Sequence, residues 1–482
     1  MGDDRYEYER VAGIIEQQIE TGALRPAERV PSVRAMSRHA GVSVGTVVQA
    51  YMHLERLGLL EARPRSGYFV AERSRASAPA PPARRRAGSR RPRPIAREVV
   101  DTVIESFGRT DLVALNSAVA ASAARINGRL NGLTRRVLRE SPGLPNALSI
   151  PPGLAELRRE IAKRATLSGM RVDPDDVVIT AGTMEALALS LGVLCASGDT
   201  VLVETPTYFG ILQLLRHLRL KVVEVPNHPD TGIDVAALER VVSGTRIAAA
   251  LLQSSFNNPT GALTPDAAKE RILAVLAKHR IPLIEDDIYG DLCFGRERPK
   301  PFAAFGGSAD VITCGSISKT VALGFRVGWA IGPRHTAALV SAKFCTTVGG
   351  PTLQQHVAAR YFASRNHDRH LRRVRESLRA NCARVADAVA RSFPRGTRVS
   401  VPAGGVVLWV ELPADVDGVA LFHAALERGI GIAPGIIFSA KAEYRNWIRL
   451  SAGVQWSPVV GKAIEVLGRL AGRPPARSVP AG

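Results

Sequence analysis

Seven short apolar runs separated by helical patterns constrain the fold of this chain more than any other feature. The runs have four to six residues, the length of buried strands, and they span residues 177–180, 200–204, 221–225, 247–252, 282–286, 311–314 and 327–331. Helical patterns fall between several of them, at 184–194, 235–242 and 265–279. Strands that alternate with helices form a mostly parallel sheet with helices on both faces. The sequence therefore predicts an α/β domain here.

A stretch without acidic residues divides the chain. Between Arg73 and Arg97 there are nine arginines, mixed with Ala, Pro, Ser and Gly, and no Asp or Glu. Such a composition cannot bury a core, so residues 73–98 are predicted to be a linker. Its arginines either form a soluble tether alone or also contact DNA phosphates, and the sequence leaves both possibilities open.

The parts on either side of the linker are predicted to be separate domains, because 482 residues exceed one ordinary core. Residues 1–72 form the first domain and residues 99–482 the second. We expect the second to contain a large subdomain at about 150–345 and a small α+β lobe. That lobe is predicted to comprise residues 99–149 and 346–482, with strands at 406–411 and 448–450.

Charge and cysteine usage narrow the class of protein. Basic residues outnumber acidic ones by 64 to 44, a formal charge of +20, which favours contact with a polyanion such as nucleic acid. The five cysteines are scattered without a C-x-x-C pair, so neither a disulfide framework nor a metal site is expected. The acidic start is unlike a signal peptide, and no run of about 18 apolar residues could span a membrane. We therefore expect a cytoplasmic protein.

The first domain has the pattern of three helices followed by a hairpin. Helix-spaced apolar residues from Val11 to Ile19 predict a first helix, Ser32 is placed to cap a second, and Ser43 is placed to cap a third at 44–57. On the third helix one face is apolar (Val47, Tyr51 and Leu54), and the other is polar (Thr46, Gln49 and His53). Residues 63–70 suit a β-hairpin wing with Gly67 at its tip. A module that docks onto protein is the alternative to one that binds DNA.

This domain resembles the GntR family of winged-helix regulators over most of residues 8–72. The resemblance rests on Pro31-Ser32-Val33-Arg34, Gly41-Val42-Ser43, Thr46-Val47, Ala50-Tyr51, Leu54-Glu55, Gly58 and Ser66-Gly67-Tyr68-Phe69-Val70. It implies contacts with double-stranded DNA by Arg34, Ser43, Thr46, Gln49 and Gly67. Val44-Gly45 stands where many relatives have a polar residue, which removes one candidate for reading bases.

Lys319 lies in the segment Ser316-Ile317-Ser318-Lys319-Thr320, directly after a predicted strand, and Arg326 follows in Gly324-Phe325-Arg326-Val327-Gly328. A lysine near a cation in a dry site loses its proton easily and attacks an aldehyde. Ser316, Ser318 and Arg326 could donate hydrogen bonds to a phosphate. The same segment also matches the S-x-x-K motif of serine acylases. No supporting K-T-G or S-D-N element follows, so we prefer a lysine that bonds pyridoxal 5'-phosphate (PLP).

Other candidate residues match the remaining needs of a PLP site. Asp286 ends a predicted buried strand, where its carboxylate could hold a proton on the pyridine nitrogen. Asn258 and Tyr289 could donate to the phenolic oxygen, although Asn258 also lies in a turn sequence, Asn-Pro-Thr-Gly. Adjacent Asp287 is expected to be only a solvated or a capping acid.

Three further positions complete the set. Thr183 and Met184 open a predicted helix straight after a strand, so the free N–H groups there suit a phosphate. Tyr208 could stack on the cofactor ring, the alternative being an ordinary half-buried tyrosine. Arg449 is predicted to bind a substrate or effector carboxylate bidentately, the alternative being a structural salt bridge.

Together these motifs resemble fold type I aminotransferases over roughly residues 110–470. Behind a GntR-like domain they resemble the MocR subfamily of bacterial regulators, as does the segment Ser149-Ile150-Pro151-Pro152-Gly153. The resemblance implies PLP as cofactor, a homodimer with sites completed across its interface, and PLP or an amino-acid–PLP adduct as effector.

Two functions remain open from the sequence. The first is a DNA-binding transcriptional regulator that senses PLP or such an adduct. The second is an active amino-acid:2-oxo-acid aminotransferase, since all groups for its chemistry are present. A PLP lyase is less favoured, because Arg449 would hold the carboxylate.

Overall fold

A computed structural model of the chain describes residues 7–63, 66–71, 95–120, 126–364 and 366–472. The chain divides into two units, residues 1–91 and 92–482. The predicted linker lies outside the described residues up to 94. A helix begins at Ile95, four residues earlier than the domain boundary predicted at 99. It begins there because Val99, Val100 and Val103 pack as one apolar face into a buried core.

The first unit consists of three helices and one hairpin: α1 (Glu7–Glu20), α2 (Val33–Ala40), α3 (Val44–Arg56), β1 (Leu60–Arg63) and β2 (Gly67–Val70). The two predicted capping serines act as N-caps: Ser32 Oγ accepts from the Ala35 N–H at 3.2 Å, and Ser43 Oγ from the Thr46 N–H at 3.1 Å. The predicted inward face of α3 (Val47, Tyr51 and Leu54) is fully buried. The winged helix-turn-helix fold predicted for this unit is therefore confirmed.

The second unit is built on a sheet of eight strands, in the order β4-β11-β10-β9-β8-β5-β6-β7. These strands are β4 (Val177–Thr180), β5 (Thr200–Thr205), β6 (Lys221–His228), β7 (Gly232–Ile233), β8 (Ala249–Leu252), β9 (Leu283–Asp286), β10 (Val311–Ser316) and β11 (Gly328–Ile331). Strands β6, β5, β8, β9 and β10 pair in parallel, whereas β11 is antiparallel to both of its neighbours and β7 is antiparallel to β6. Seven of the strands lie within two residues of the predicted runs at their starts and within three at their ends.

Twelve helices and six short strands make up the rest of the described part of this unit. The helices are α4 (Ile95–Ser106), α5 (Asn127–Glu140), α6 (Ala155–Leu167), α7 (Thr183–Leu194), α8 (Phe209–His217), α9 (Val235–Gly244), α10 (Asp266–Lys278), α11 (Thr336–Thr347), α12 (Thr352–Phe362), α13 (Asn366–Ser392), α14 (Gly418–Leu426) and α15 (Pro458–Ala471). The strands are β3 (Val113–Ala114), β12 (Arg398–Val399), β13 (Val407–Glu411), β14 (Ile430–Gly431), β15 (Ala433–Pro434) and β16 (Trp447–Ser451).

Helices cover both faces of the large sheet, as the alternating pattern predicts. Val201 and Val203 of β5 pack in one cluster with residues of α7 and α8, whereas Leu202 between them packs with residues of α9 and α10. Successive side chains of a strand point to opposite faces, so the two clusters lie on opposite sides of the sheet. Both faces of the central strands are therefore buried, and apolar side chains predominate in them.

The small lobe contains an antiparallel sheet in the order β12-β13-β16-β15, covered by α13, α14 and α15. The predicted lobe boundaries need a correction. Leu130 and Val137 of α5, and Val357 of α12, pack in one cluster with Val177 and Ile179 of β4. Residues 126–140 and 352–362 therefore belong to the large subdomain, because their apolar faces cover its edge strand.

Within the described residues, no helix is long and apolar enough to cross a membrane.

Candidate functional site

A cavity of about 410 Å³ opens beyond the carboxyl ends of β9 and β10. Its lining contains every residue that the sequence predicts around the cofactor and the effector carboxylate: Thr183, Met184, Tyr208, Asn258, Asp286, Tyr289, Ser316, Ser318, Lys319, Arg326 and Arg449. These residues span more than half of the chain and come from separate elements. The fold therefore brings the whole predicted set into one site.

Asp286 is the last residue of β9, and its side chain is only 3% exposed. Its Oδ2 accepts a hydrogen bond from Gln253 Nε2 at 3.0 Å, whereas its Oδ1 is buried and has no partner in the described part of the chain. Burial, helped by the nearby Asp287 carboxylate, raises the pKa of Asp286 to about 7. A buried carboxylate oxygen without a partner is suited to a protonated ring nitrogen.

Lys319 is partly buried and follows β10 by three residues. Its Nζ lies 5.9 Å from the centre of the Tyr289 ring. Burial lowers the pKa of Lys319 to about 8; the Arg449 and Arg326 guanidiniums also lower it, and Asp286 opposes them. At pH 7 about a tenth of this lysine is therefore an uncharged, nucleophilic amine, far more than of a lysine with an ordinary pKa.

Several donors at one end of the cavity have no partner within the described residues. The hydroxyls of Thr183 and Ser318 are buried without hydrogen bonds, and no side chain caps the N-terminus of α7. Arg326 is exposed, and its Nη2 donates to the Ala181 carbonyl at 3.0 Å, beside Gly182. A Cβ on Gly182 would lie 2.6 Å from that nitrogen, so only glycine allows this approach. Free hydroxyls, helix N–H groups and a guanidinium together are suited to a phosphate.

Ser316 Oγ accepts a hydrogen bond from the Ser318 N–H at 3.1 Å and so holds the segment that carries Ser318 and Lys319.

Arg449 lies on β16 and is 1% exposed. Its Nη1 donates to Asn258 Oδ1 at 3.1 Å, its Nη2 donates to the Asn116 carbonyl, and its Nε has no partner. No acidic side chain among the described residues pairs with it, which disagrees with the alternative of a structural salt bridge. A buried guanidinium without a counter-charge is suited to a carboxylate ligand.

Tyr208 and Tyr289 both border the cavity, and burial raises the pKa of each hydroxyl. Tyr208 is half-buried and packs edge-on against Phe209, with the ring centres 4.9 Å apart. Both phenols therefore stay protonated at neutral pH and can donate hydrogen bonds.

Of the lining residues that no motif predicted, Gln253 and Asn116 form hydrogen bonds to predicted site residues. Gln253 donates to Asp286, and its own backbone N–H is held by the buried Glu204 carboxylate at 3.1 Å. It directly follows β8, whose carboxyl end lies at the same sheet edge as that of β9. This position after a buried parallel strand could have identified Gln253 as a site residue from the sequence. Asn116 contributes a backbone carbonyl, for which the sequence offers no signal.

The predicted DNA contacts lie on the first unit. Arg34, Ser43 and Gln49 are exposed and Thr46 is half-buried; the hydroxyls of Ser43 and Thr46 are 2.8 Å apart at the start of α3. Gly67 has a φ of +100° and pairs with Arg63 as the first residue of β2. Two residues of the wing, Pro64 and Arg65, lie outside the described part.

Comparison with known proteins agrees with this division. Residues 138–458 match the family described as aminotransferase class I and II, and residues 7–70 match bacterial regulatory proteins, gntR family. A relative in Escherichia coli, named "Uncharacterized HTH-type transcriptional regulator YjiR", is 35% identical over 463 residues, covering 96% of this chain and 98% of the relative. The 2-aminoadipate transaminase of Thermus thermophilus is 34% identical over 338 residues, covering 69% of this chain and 83% of the relative.

A solved structure shares the fold of the second unit. The α-aminoadipate aminotransferase LysN from Thermus thermophilus, complexed with N-(5'-phosphopyridoxyl)-L-leucine, superposes with a TM-score of 0.72 at 30% identity. The match covers 78% of this chain and 96% of LysN. Fold and site thus define a fold type I aminotransferase domain joined to a winged helix-turn-helix. The chain belongs to the aminotransferase class I and II family and, through its gntR-type head, to the MocR-type regulators of the GntR family.

Proposed function

We propose that this chain is a DNA-binding transcriptional regulator whose aminotransferase-like domain binds PLP and senses PLP or an amino-acid–PLP adduct. The observation that carries the cofactor is the unpartnered Asp286 Oδ1 in one cavity with Lys319. The gntR-type head and the relatives named as transcriptional regulators support the regulatory role. A protein that acts on DNA in a bacterium works in the cytoplasm, where we place it.

Different residues of the cavity bind different parts of the cofactor. Bound PLP supplies an aldehyde that condenses with amines and a ring that withdraws electrons. Lys319 offers its amine to that aldehyde, and Asp286 holds a proton on the ring nitrogen. Tyr208, which lines the same cavity, would stack on the ring.

The remaining donors bind the oxygen atoms of the cofactor and the effector. Thr183, Ser316, Ser318, Arg326 and the start of α7, including Met184, bind the phosphate. Asn258 and Tyr289 donate to the phenolic oxygen, and Arg449 binds the carboxylate of an amino-acid effector.

The first unit would contact a double-stranded operator through α3 and the wing. Arg34, Ser43, Thr46, Gln49 and Gly67 are assigned to this surface. The first turn of α3 carries the exposed Ser43 hydroxyl, and helix N-termini of this kind meet phosphates and base edges in the major groove.

We further propose a homodimer. Four large apolar side chains are about half exposed or more in one region: Leu148, Ile150, Phe344 and Val348. The segments are adjacent, since Ser149 forms a β-bridge with Gly350. An exposed apolar patch on a monomer marks an interaction surface. Two heads on one dimer would then read two half-sites of an operator.

The test is an electrophoretic mobility shift and footprint with the full-length protein on DNA upstream of its own and adjacent genes. We expect binding whose affinity changes when PLP, or PLP with an amino acid, is added. The Lys319→Ala variant should bind the same DNA without that response. Absence of binding to any such fragment contradicts the regulatory function.

Aminotransferase activity is the second candidate, because Arg449 is buried without an acidic partner and a relative of 34% identity is named a transaminase. The absorbance of the PLP-loaded protein distinguishes the two. An enzyme would return to its starting spectrum when a 2-oxo acid follows the amino acid, whereas a sensor would stop at the first change.

A further inference from the structure

A second cavity of about 340 Å³ is lined by the start of α5, the end of α12 and the first turns of α13. It shares no lining residue with the first cavity. Its polar lining includes Arg129, Tyr361, Arg369, His370, Arg373 and Ser377, and none of the described residues that line it is acidic. The cavity is therefore strongly cationic.

Its three arginines are exposed at the mouth of the cavity and have no partner within the described residues. Arg129, Arg369 and Arg373 form no ion pair or hydrogen bond there, although the neighbouring Arg164 pairs with Asp368 at 3.5 Å. Arg369 and Arg373 are four residues apart on α13, where like charges repel each other and weaken a helix. Bound negative charge would remove that repulsion.

Tyr361 gives an independent sign of a ligand. Its side chain is 1% exposed and lines the cavity, yet its hydroxyl has no hydrogen-bond partner among the residues that the structure describes. Leaving a buried hydroxyl unpaired costs free energy that a bound acceptor would recover. Arg129 lies close enough to this hydroxyl to lower its pKa, against the larger effect of burial, which raises it. Tyr361 and Arg129 both belong to the lining of this cavity.

We propose that this cavity binds a small multivalent oxyanion, either a phosphate group or a dicarboxylate, as a ligand separate from PLP. Guanidinium groups bind both kinds of anion through paired hydrogen bonds, and the Tyr361 hydroxyl adds one donor. The volume lies at the lower end of the range of small-molecule sites. The concave shape and the buried phenol favour a small anion over the backbone of a duplex, whose phosphates lie on a convex surface.

The cavity is connected to the first site through one side chain. His370 lines it, and its Nε2 lies 2.8 Å from the carbonyl oxygen of Thr320, the residue after Lys319. An acceptor at that distance fixes the hydrogen on Nε2. If a bound anion shifts α13, the shift would therefore be transmitted through His370 to the segment that carries Lys319.

Isothermal titration calorimetry of the full-length, PLP-loaded protein tests the proposal, because PLP already fills the other phosphate site. The probes are inorganic phosphate and succinate, each against sodium chloride of equal ionic strength. The cavity variant is Arg129→Gln with Arg373→Gln. Its matched control is Arg135→Gln with Arg372→Gln, which removes two exposed arginines of the same helices outside the cavity.

We expect saturable binding of at least one probe, with an affinity that falls about tenfold or more in the cavity variant and stays unchanged in the control. The probe that binds shows whether the site takes a phosphate group or a dicarboxylate. Binding that is equal in both variants, or no binding of either probe, overturns the proposal.

Tyr361→Phe separates a ligand contact from a structural role. Because the hydroxyl has no partner without the anion, its removal should leave the melting temperature of the anion-free protein unchanged or higher. The affinity for the anion should fall by about threefold to tenfold. A loss of stability without loss of affinity contradicts the proposal. A further measurement uses a random-sequence DNA duplex as the probe. If the cavity variant weakens binding of this duplex but not of phosphate or succinate, the proposal is also contradicted.

Discussion

At the scale of the residue, Asp286 is held in a state that costs the empty protein stability. Its pKa is raised from 3.8 to about 7, so folding is penalised increasingly as the pH rises between these values and fully above them. A protonated ring nitrogen beside Oδ1 would convert this penalty into an ion pair.

Asp286→Asn should therefore have opposite effects on the empty and the loaded protein. Without PLP the variant should be more stable than the wild type at pH 8, by on the order of 2 kcal/mol, and the difference should shrink towards pH 4. Its affinity for PLP should fall at least about tenfold. Thermal melts at both pH values and a PLP titration measure this. A destabilised, tightly binding variant would contradict the assignment.

Lys319 reacts only as the neutral amine, so the rate of PLP uptake should depend on pH. Since its pKa is lowered to about 8, the rate should rise about tenfold per pH unit below 8 and level off above. Arg449 contributes to this lowering, and Arg449→Gln should move the midpoint to higher pH. Stopped-flow absorbance at several pH values is the measurement. An unchanged midpoint would mean that Arg449 does not contribute to the lowered pKa of Lys319.

At the scale of the element, the start of α3 combines helix capping with the expected contact to DNA. Ser43→Asp should keep the cap, because aspartate accepts the Thr46 N–H equally well, and should place a negative charge against the phosphates. We expect stability within about 0.5 kcal/mol of the wild type and operator affinity at least about tenfold lower.

Two comparisons make this experiment specific. Ser43→Ala should cost about 1 kcal/mol of stability in the first unit through loss of the cap. Ser457→Asp changes the N-cap of α15 in the other unit and should leave operator affinity unchanged. If Ser43→Asp binds DNA as the wild type does, α3 does not approach the phosphates at this end.

Elements with continuous local patterns were predictable from the sequence, and those defined by distant contacts were not. The buried strands and the motifs around Lys319 and Asp286 can each be recognised from a few consecutive residues. Strand β7 has only two residues, too few for any periodicity. The role of the Asn116 carbonyl depends on a contact with Arg449 across 333 residues, and backbone atoms carry no side-chain signature.

At the scale of the whole molecule, the second unit crosses repeatedly between its two lobes. Helix α4 and Leu115 pack in the small lobe, and the chain then crosses to the large sheet with α5. Helix α12 covers the same edge strand, and α13 leads back to the small lobe. Helical amphipathicity alone does not say which sheet a helix covers. The predicted lobe boundaries were wrong for this reason.

The exposed apolar patch around Leu148 yields the last prediction. Leu148 and Ile150 are 63% and 58% exposed, and the segment 348–350 lies beside them, with Leu148 Cδ1 only 2.8 Å from where a Cβ on Gly349 would stand. If this patch joins two copies of the chain, Leu148→Glu with Ile150→Glu places four charges in a closed interface and should shift the protein to monomer.

Analytical ultracentrifugation over a range of concentrations measures that shift. The matched control is Leu167→Glu, since Leu167 is 82% exposed at the end of α6 and lies outside the patch. It should keep the oligomeric state of the wild type. The monomeric variant should also bind a two-half-site operator with an affinity close to that for one half-site, because its heads are no longer linked. A dimer that survives both glutamates would place the interface elsewhere.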